Sequence, residues 1–246
     1  MSPLPDKLAR PPLVEAIFEI RFTGALEGVG DLLPGLMYPR LKHMFQRVEQ
    51  LPFGRLPKEM LQANPELAFR PQVRLAGNDV FLLIGDRIVA LSKTLPYDGW
   101  TAFQARCAEV TEALRDTGLA SSVERFSLKC INVFEAGENP LRALNVALKL
   151  GDQSFTDRGI RLRVEIDDGP FISIVEVASS VAVEASGKTI NGMLVALDTL
   201  RTIESAEFWA DPMGQLGHAH AILKNIFFDL LTKPTVEMLG PEWSLK

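Results

Sequence analysis

Apolar and polar positions alternate most clearly near the start of the chain. Along Val14–Phe22, Val14, Ala16, Phe18, Ile20 and Phe22 fall on one side of an extended backbone, and Glu15, Ile17, Glu19 and Arg21 on the other. One apolar face at period two predicts a half-buried strand. Residues 1–12 before it are Pro-rich and read as an extended arm. After the Pro34-Gly35 break, Leu41, Met44, Phe45 and Val48 are spaced as an inward helical stripe, with Arg40, Lys42, Arg47 and Glu49 toward solvent. That spacing predicts a helix over Tyr38–Leu51. The Pro-rich stretch Leu51–Pro57 reads as a loop. Three apolar runs follow: Leu67–Leu75, Val80–Ile84 and Ile88–Leu95. Between them, Gly77-Asn78 and Gly85-Asp86 are expected to supply the positive-φ positions of tight hairpins, which makes the segment a meander. Trp100, Phe103, Cys107, Val110 and Leu114 then mark a helix that stops at Gly118.

The second half follows the same order. Phe126, Leu128 and Cys130 alternate with Arg125, Ser127 and Lys129 in an opening strand. Asn139-Pro140 supplies an N-cap followed by Pro at the first helical position, with Leu141, Leu144 and Leu148 expected to face inward from a short helix. Ile160, Leu162, Val164 and Ile166 alternate with Arg161, Arg163 and Glu165. Asp168-Gly169 turns the chain into Phe171–Val183, and Gly187 turns it into a strand that runs to about Thr202. Asp211-Pro212 caps a last helix with the stripe Leu216, Ala219, Ile222, Leu223, Ile226, Phe227 and Leu230.

The order strand, helix, meander, helix therefore occurs twice, over 13–120 and 121–246. It predicts an α+β fold: two related β-α-β-β-β-α halves forming a curved antiparallel sheet of about eight strands, with helices on one side. The element order is similar to that of TATA-binding-protein-like and helix-grip folds, a likeness that carries no function.

Pro11-Pro12-Leu13-Val14-Glu15-Ala16-Ile17-Phe18-Glu19-Ile20-Arg21-Phe22 resembles the opening signature of a sporadically distributed prokaryotic family of unknown function. Ile84-Gly85 before Ile88–Ser92, Tyr97-Asp98-Gly99-Trp100 with Phe103, Ile131-Asn132, and Ala219-His220 with Phe227 are similar to further segments of that family, in order and spacing. Ser92 departs from the Asn expected at its position. The resemblance implies no activity. The family's patchy distribution fits genes on mobile or defence islands, which implies a component of a multi-gene defence or toxin–antitoxin-like system with a protein partner encoded nearby.

Charge narrows the choice of ligand. The chain has 246 residues, 47% hydrophobic and 23% charged, with a net charge of −5. Residues 1–122 carry 14 Lys+Arg and 14 Asp+Glu, leaving 12 and 17 for 123–246 out of totals of 26 and 31. Neither half is a basic surface, which disfavours nucleic acid. The N-terminus lacks an apolar signal core, and no apolar run reaches the length of a membrane span, so no membrane partner and a cytoplasmic location are expected. Cys107 and Cys130 both fall on apolar faces and read as buried free thiols.

The candidate site residues are Glu15, Glu19 and Arg21 on the first strand, Arg125 and Lys129 on its counterpart, Arg161 and Arg163 further along, and His220 on the last helix. If the polar strand faces line a groove, the strand residues form a charged surface for an anionic or peptide ligand, while His220 reads as a packed or hydrogen-bonding helix residue, with a polar group aimed at a sheet cavity as the alternative. A solvated face with cross-strand ion pairs is the simpler reading. Glu15 and Glu19 also suit an acid/base pair, but no nucleophile or oxyanion motif accompanies them. His218 and His220 lie about 200° apart on a helix and cannot converge on one metal. Ala185-Ser186-Gly187-Lys188-Thr189 lacks the upstream Gly of a phosphate loop and reads as a turn. Trp100 and Phe103 are expected to be core anchors, and Trp209 and Trp243 exposed contact residues. No cofactor is expected. The chain thus reads as a non-catalytic binding module, with a saddle-like nucleic-acid binder or an enzyme with a charged pocket as alternatives.

Overall fold

A computed structural model describes residues 4–57, 60, 64–134, 140–155, 159–185 and 188–243. In chain order the elements are β1 (Lys7–Leu8), β2 (Leu13–Gly24), α1 (Val29–Leu41), β3 (Arg47–Gln50), β4 (Val73–Ala76), β5 (Val80–Gly85), β6 (Ile88–Thr94), α2 (Trp100–Asp116) and β7 (Ala120–Phe134). There follow β8 (Leu148–Leu150), β9 (Gln153–Phe155), β10 (Arg161–Asp168), β11 (Phe171–Ala185), β12 (Lys188–Thr202), α3 (Ser205–Ala210), α4 (Pro212–Leu230), α5 (Lys233–Met238) and β13 (Pro241–Glu242). The fold is α+β. Its main element is a nine-stranded antiparallel sheet in the order β10-β11-β12-β7-β2-β6-β5-β4-β3. The pairs β1–β13 and β8–β9 form two small sheets. Among the described residues no helix is long and apolar enough to cross a membrane.

The chain gathers into two compact units, each drawing on both halves of the sequence. The first comprises Glu15–Leu128 and Leu200–His218; the second comprises Met1–Val14, Lys129–Thr199 and Ala219–Lys246.

In the first unit the alternation of β2 is realised in full: Ala16, Phe18, Ile20 and Phe22 are each at most 1% exposed. Burying each large side chain stabilises the unit by about 1.5–3 kcal/mol. Helix α2 buries Phe103, Cys107, Val110 and Leu114 as its spacing predicts, while Trp100 is half-buried. It ends before Gly118, whose φ of 66° stops the helical path.

The first helix lies elsewhere than predicted. It spans Val29–Leu41, with Pro34 and Pro39 inside it, and Arg47–Gln50 is a strand. Val29, Leu33, Met37 and Leu41 recur every fourth residue and are all fully buried, against α2, β4 and β5. That continuous stripe outweighs the loss of two backbone donors, so Pro34-Gly35 does not break the helix. Met44 and Phe45 are buried as expected, but Val48 is 58% exposed on edge strand β3.

Leu67–Leu75 is likewise not one strand. A 3-10 turn covers Pro65–Phe69 and β4 starts only at Val73, because Pro71 has no N–H for the ladder. The hairpin glycines act differently from expectation too. Neither Gly77 nor Gly85 is among the positive-φ glycines. A Cβ on Gly77 would lie 2.4 Å from Met44 O, and one on Gly85 2.7 Å from Arg70 O, so each is required by close backbone approach.

In the second unit β10 pairs with β11 around the Asp168-Gly169 turn, where Gly169 has φ 59°. Asn132 Nδ2 donates to Val195 O at 3.2 Å, and the Ser173 and Thr199 hydroxyls bond at 2.8 Å, both in buried surroundings. Phe134 stacks on Phe227 with centroids 6.3 Å apart. The helix expected after Asn139 does not form. Pro140–Ala143 is a single 3-10 turn and Leu148 belongs to β8; Asn139 itself lies outside the described residues, as do Ser186 and Gly187. Leu141 and Leu144 are buried without a helix, since Asn145 Nδ2 ties this segment to Asp229 O and Leu231 O, both at 2.9 Å. The apolar row of β10 is also not inward: Val164 and Ile166 stay 40% and 39% exposed, because β10 is the end strand of the sheet.

Helix α4 begins as predicted, with Asp211 Oδ1 accepting from Gly214 N–H at 2.8 Å. Leu216, Ala219, Leu223 and Phe227 form its buried stripe, and Ile222, Ile226 and Leu230 are half-buried.

Candidate functional site

The polar side of β2 in the first unit gathers charge into a bonded row. Ser92 Oγ donates to Glu15, across the β2–β6 ladder. Glu19 Oε1 accepts from Arg21 Nε at 2.6 Å and from Arg125 Nη2 at 2.8 Å. Glu124 accepts from Thr23 Oγ1 and, at 2.6 Å, from Arg87 Nη2. Two consecutive β7 residues reach this side because the alternation slips there: Val123 and Phe126 are both buried, with half-buried Glu124 and Arg125 between them. A slip of this kind is what a β-bulge produces. The row holds three carboxylates (Glu15, Glu19, Glu124) and three guanidinium groups (Arg21, Arg87, Arg125), so its formal charge is zero.

Burial raises the value of these contacts above that of surface ion pairs. The side chains of Glu19, Arg125 and Arg21 are 19%, 24% and 29% exposed. Charge-assisted bonds in such surroundings contribute about 1.5–3 kcal/mol each before desolvation is offset. The Nε atoms of Arg87 and Arg125 are buried without hydrogen-bond partners. Phe69 lies beneath this end of the row, its ring centroid 4.6 Å from the Arg21 guanidinium carbon and 4.8 Å from that of Arg87.

Where the row ends, a cavity of ≈ 730 Å³ opens, lined by Thr23 and Gly24 at the end of β2, by Leu26, Glu27 and Gly28 after it, by Leu67 and Ala68, and by Gln72, Asp86 and Arg87. Its floor is fixed by Asp86 in the two-residue β5–β6 turn. Asp86 Oδ1 accepts from Gly30 N–H at 2.8 Å, and Oδ2 accepts from Gln72 Nε2 at 2.9 Å. Gly30 allows this approach: a Cβ there would stand 2.9 Å from Asp86 N and from Gln72 Oε1. The volume suits a small organic ligand or a few side chains of a peptide. Leu26, Leu67 and Ala68 offer apolar contact, Glu27 and Asp86 accept hydrogen bonds, and Arg87 donates them.

Only part of the predicted site comes together. Glu15, Glu19, Arg21 and Arg125 share the row, whereas Lys129, Arg161, Arg163 and His220 belong to the second unit. Arg163 there pairs with Glu165 at 2.6 Å and Glu176 at 3.7 Å, all about half exposed. His220 is half-buried on α4, and burial with the Lys224 charge lowers its pKa to about 4, so it is neutral near pH 7. His218 is exposed. Among the described residues no three His, Cys, Asp or Glu side chains are grouped to hold a metal ion. Both cysteines are free. Burial pushes the Cys107 thiol well up, and burial with the Asp198 carboxylate pushes that of Cys130 up to about 12, so neither is a thiolate nucleophile near neutrality. Lys188 and Thr189 lie in strand β12, not at a helix start. Trp209 is half-buried with Arg115 5.6 Å from its ring, and Trp243 is 53% exposed.

Glu124, Phe69, Asp86, Arg87 and Gln72 are site residues that sequence reasoning missed. Asp86-Arg87 falls in a predicted turn, where a charged pair is ordinary, and Phe69 falls in a predicted strand. The available signal was the adjacent Glu124-Arg125 pair in a strand otherwise alternating apolar and polar. No protein-family model and no curated protein matches the chain.

Proposed function

We propose that the protein is a non-catalytic binding module whose ligand sits in the cavity at the end of the β2 row. The carrying observation is the cavity itself: ≈ 730 Å³, lined by the donor Arg87, the acceptors Asp86 and Glu27, and apolar Leu26, Leu67 and Ala68. A donor and two acceptors among apolar walls suit a small zwitterionic group or a peptide segment. The paired row beside it acts as a rigid frame: its guanidinium groups are held by Glu19 and Glu124, which leaves little net charge for a phosphate backbone. Nucleic acid is therefore the weaker reading, and an enzyme weaker still, since no general base lies beside an activated nucleophile in the cavity.

Two wider expectations join this reading. Duplicated halves are supported by the strand order, which runs outward from the β7–β2 junction as β12, β11, β10 on one side and β6, β5, β4 on the other. Membership of the sporadic prokaryotic family rests on the opening motif at residues 11–22, and it makes a cytoplasmic protein encoded beside the module the expected source of a peptide ligand.

The test is native mass spectrometry of the purified chain and co-purification from its host, each compared with Ala68→Trp, which fills the cavity. A retained ligand or partner that is lost in Ala68→Trp, with the thermal transition preserved, supports the reading. A partner held equally by both proteins overturns it.

A further inference from the structure

The outer edge of β10 carries a pattern complementary to itself read backwards. On one side β10 pairs with β11 in an unbroken register from Arg161↔Ala178 to Asp168↔Phe171. Among the described residues no strand pairs with its other side. All eight residues are exposed except half-buried Leu162. Leu162, Val164 and Ile166 extend the row of Val177, Val175 and Ser173, which are buried at 1%, 5% and 1%, out to an uncovered edge. A regular edge with open backbone donors and acceptors is a template for another strand.

Natural edges are commonly blunted by proline or by charges that repel an incoming strand. β10 has no proline, and its charges change sign midway: Arg161-Leu162-Arg163-Val164-Glu165-Ile166-Asp167-Asp168. We infer that β10 is a homodimer contact, in which the β10 of a second copy pairs antiparallel about a two-fold axis at Val164. Opposite residues then sum to 328. Arg161 faces the second copy's Asp167, Arg163 faces Glu165, Leu162 faces Ile166, and Val164 faces itself. Neighbouring registers fail on charge or on face. An axis at Arg163 or Glu165 sets like charges opposite each other, and an odd sum sets the apolar row against the charged row. Arg163 exchanges an exposed intrachain Glu165 for the same residue of the second copy at little cost, since its side chain is 51% exposed. The contact is isologous, as a closed dimer requires. One strand pair is small beside a standard interface of about 800 Å² per partner, so a dissociation constant of about micromolar order is expected.

Sedimentation equilibrium of the full chain tests this. The weight-average mass should rise with concentration from 27.2 kDa toward twice that value. Arg161→Glu/Arg163→Glu and Glu165→Arg/Asp167→Arg should each be monomeric at every concentration, and an equimolar mixture should restore the dimer. A monomeric native chain overturns the inference, as does a dimer that survives in either variant alone. If circular dichroism shows either charge variant unfolded, Val164→Asp replaces it. That substitution sets two like charges at the axis, and a dimer that persists in it overturns the inference equally.

Discussion

Two rows of arginine and glutamate lie on the sheet, and they differ in what surrounds them. On β2, Glu19 shares one oxygen between Arg21 and Arg125, all three less than a third exposed, with Phe69 beneath Arg21. On β10, Arg163 is ion-paired with Glu165 and Glu176, all about half exposed. The same residue types at the same spacing thus sit in two different environments. Desolvation makes the β2 row a fixed frame, whereas water leaves the β10 row free to exchange partners. An ion pair's contribution is read from its burial and not from its presence.

The strongest test extends this comparison to its buried limit. Lys93 on β6 is 1% exposed, and its Nζ donates to Asp79 Oδ2 at 2.9 Å, to Thr94 O at 3.0 Å and to Pro96 O. Lys93→Met keeps the volume but leaves three acceptors without their donor. It should lower the unfolding free energy by about 3 kcal/mol in urea denaturation. A loss as small as that of a surface pair would break the comparison at its base.

The unit that carries β10 is not wholly insensitive to charge, and His220 measures this. Its pKa is about 4 in the fold, below the ordinary 6.5, because burial and Lys224 disfavour the imidazolium. The unfolded chain therefore binds a proton that the fold refuses. The stabilisation is complete above about pH 6.5 and is lost as pH falls through about 4. With partial exposure taken into account, roughly 2 kcal/mol should vanish over that window. Urea unfolding of His220→Gln across it should show a correspondingly shallower slope than the native chain; equal slopes would remove His220 from the account.

The smallest effects compare the two rows directly. A double-mutant cycle on Glu19 and Arg125 should give a coupling of about 1 kcal/mol. The cycle on Glu165 and Arg163, run on dilute protein, should give less than about 0.5 kcal/mol. Equal couplings would mean that burial does not separate the rows.

Periodicity made the strands legible wherever one face is buried and the other wet. Val14–Phe22 declared itself in this way, and so did the stripes of α2 and α4. It failed where packing overrode local preference. Pro34 and Pro39 argue against a helix, yet Val29, Leu33, Met37 and Leu41 bury fully on one. Leu141 and Leu144 suggested a helix and are buried from a single turn. In the candidate site, Glu15, Glu19 and Arg21 were visible as one polar face and Arg125 as a charged position on the counterpart strand, but their meeting was not. Asp86, Gln72 and Phe69 were not, because what makes them a site is an approach between segments distant in sequence.

The sequence by itself determined which residues alternate, which helices carry a stripe and where Gly118 and Asp211 end or begin them, since these follow from steric and solvation preferences over a few neighbouring residues. Only the tertiary structure decided which charges are worth energy. Glu19 and Glu165 are alike in the chain; strand order and neighbouring segments shield one from water and leave the other at an edge. Desolvation depends on what surrounds a group in space, and that is fixed only once the sheet is assembled.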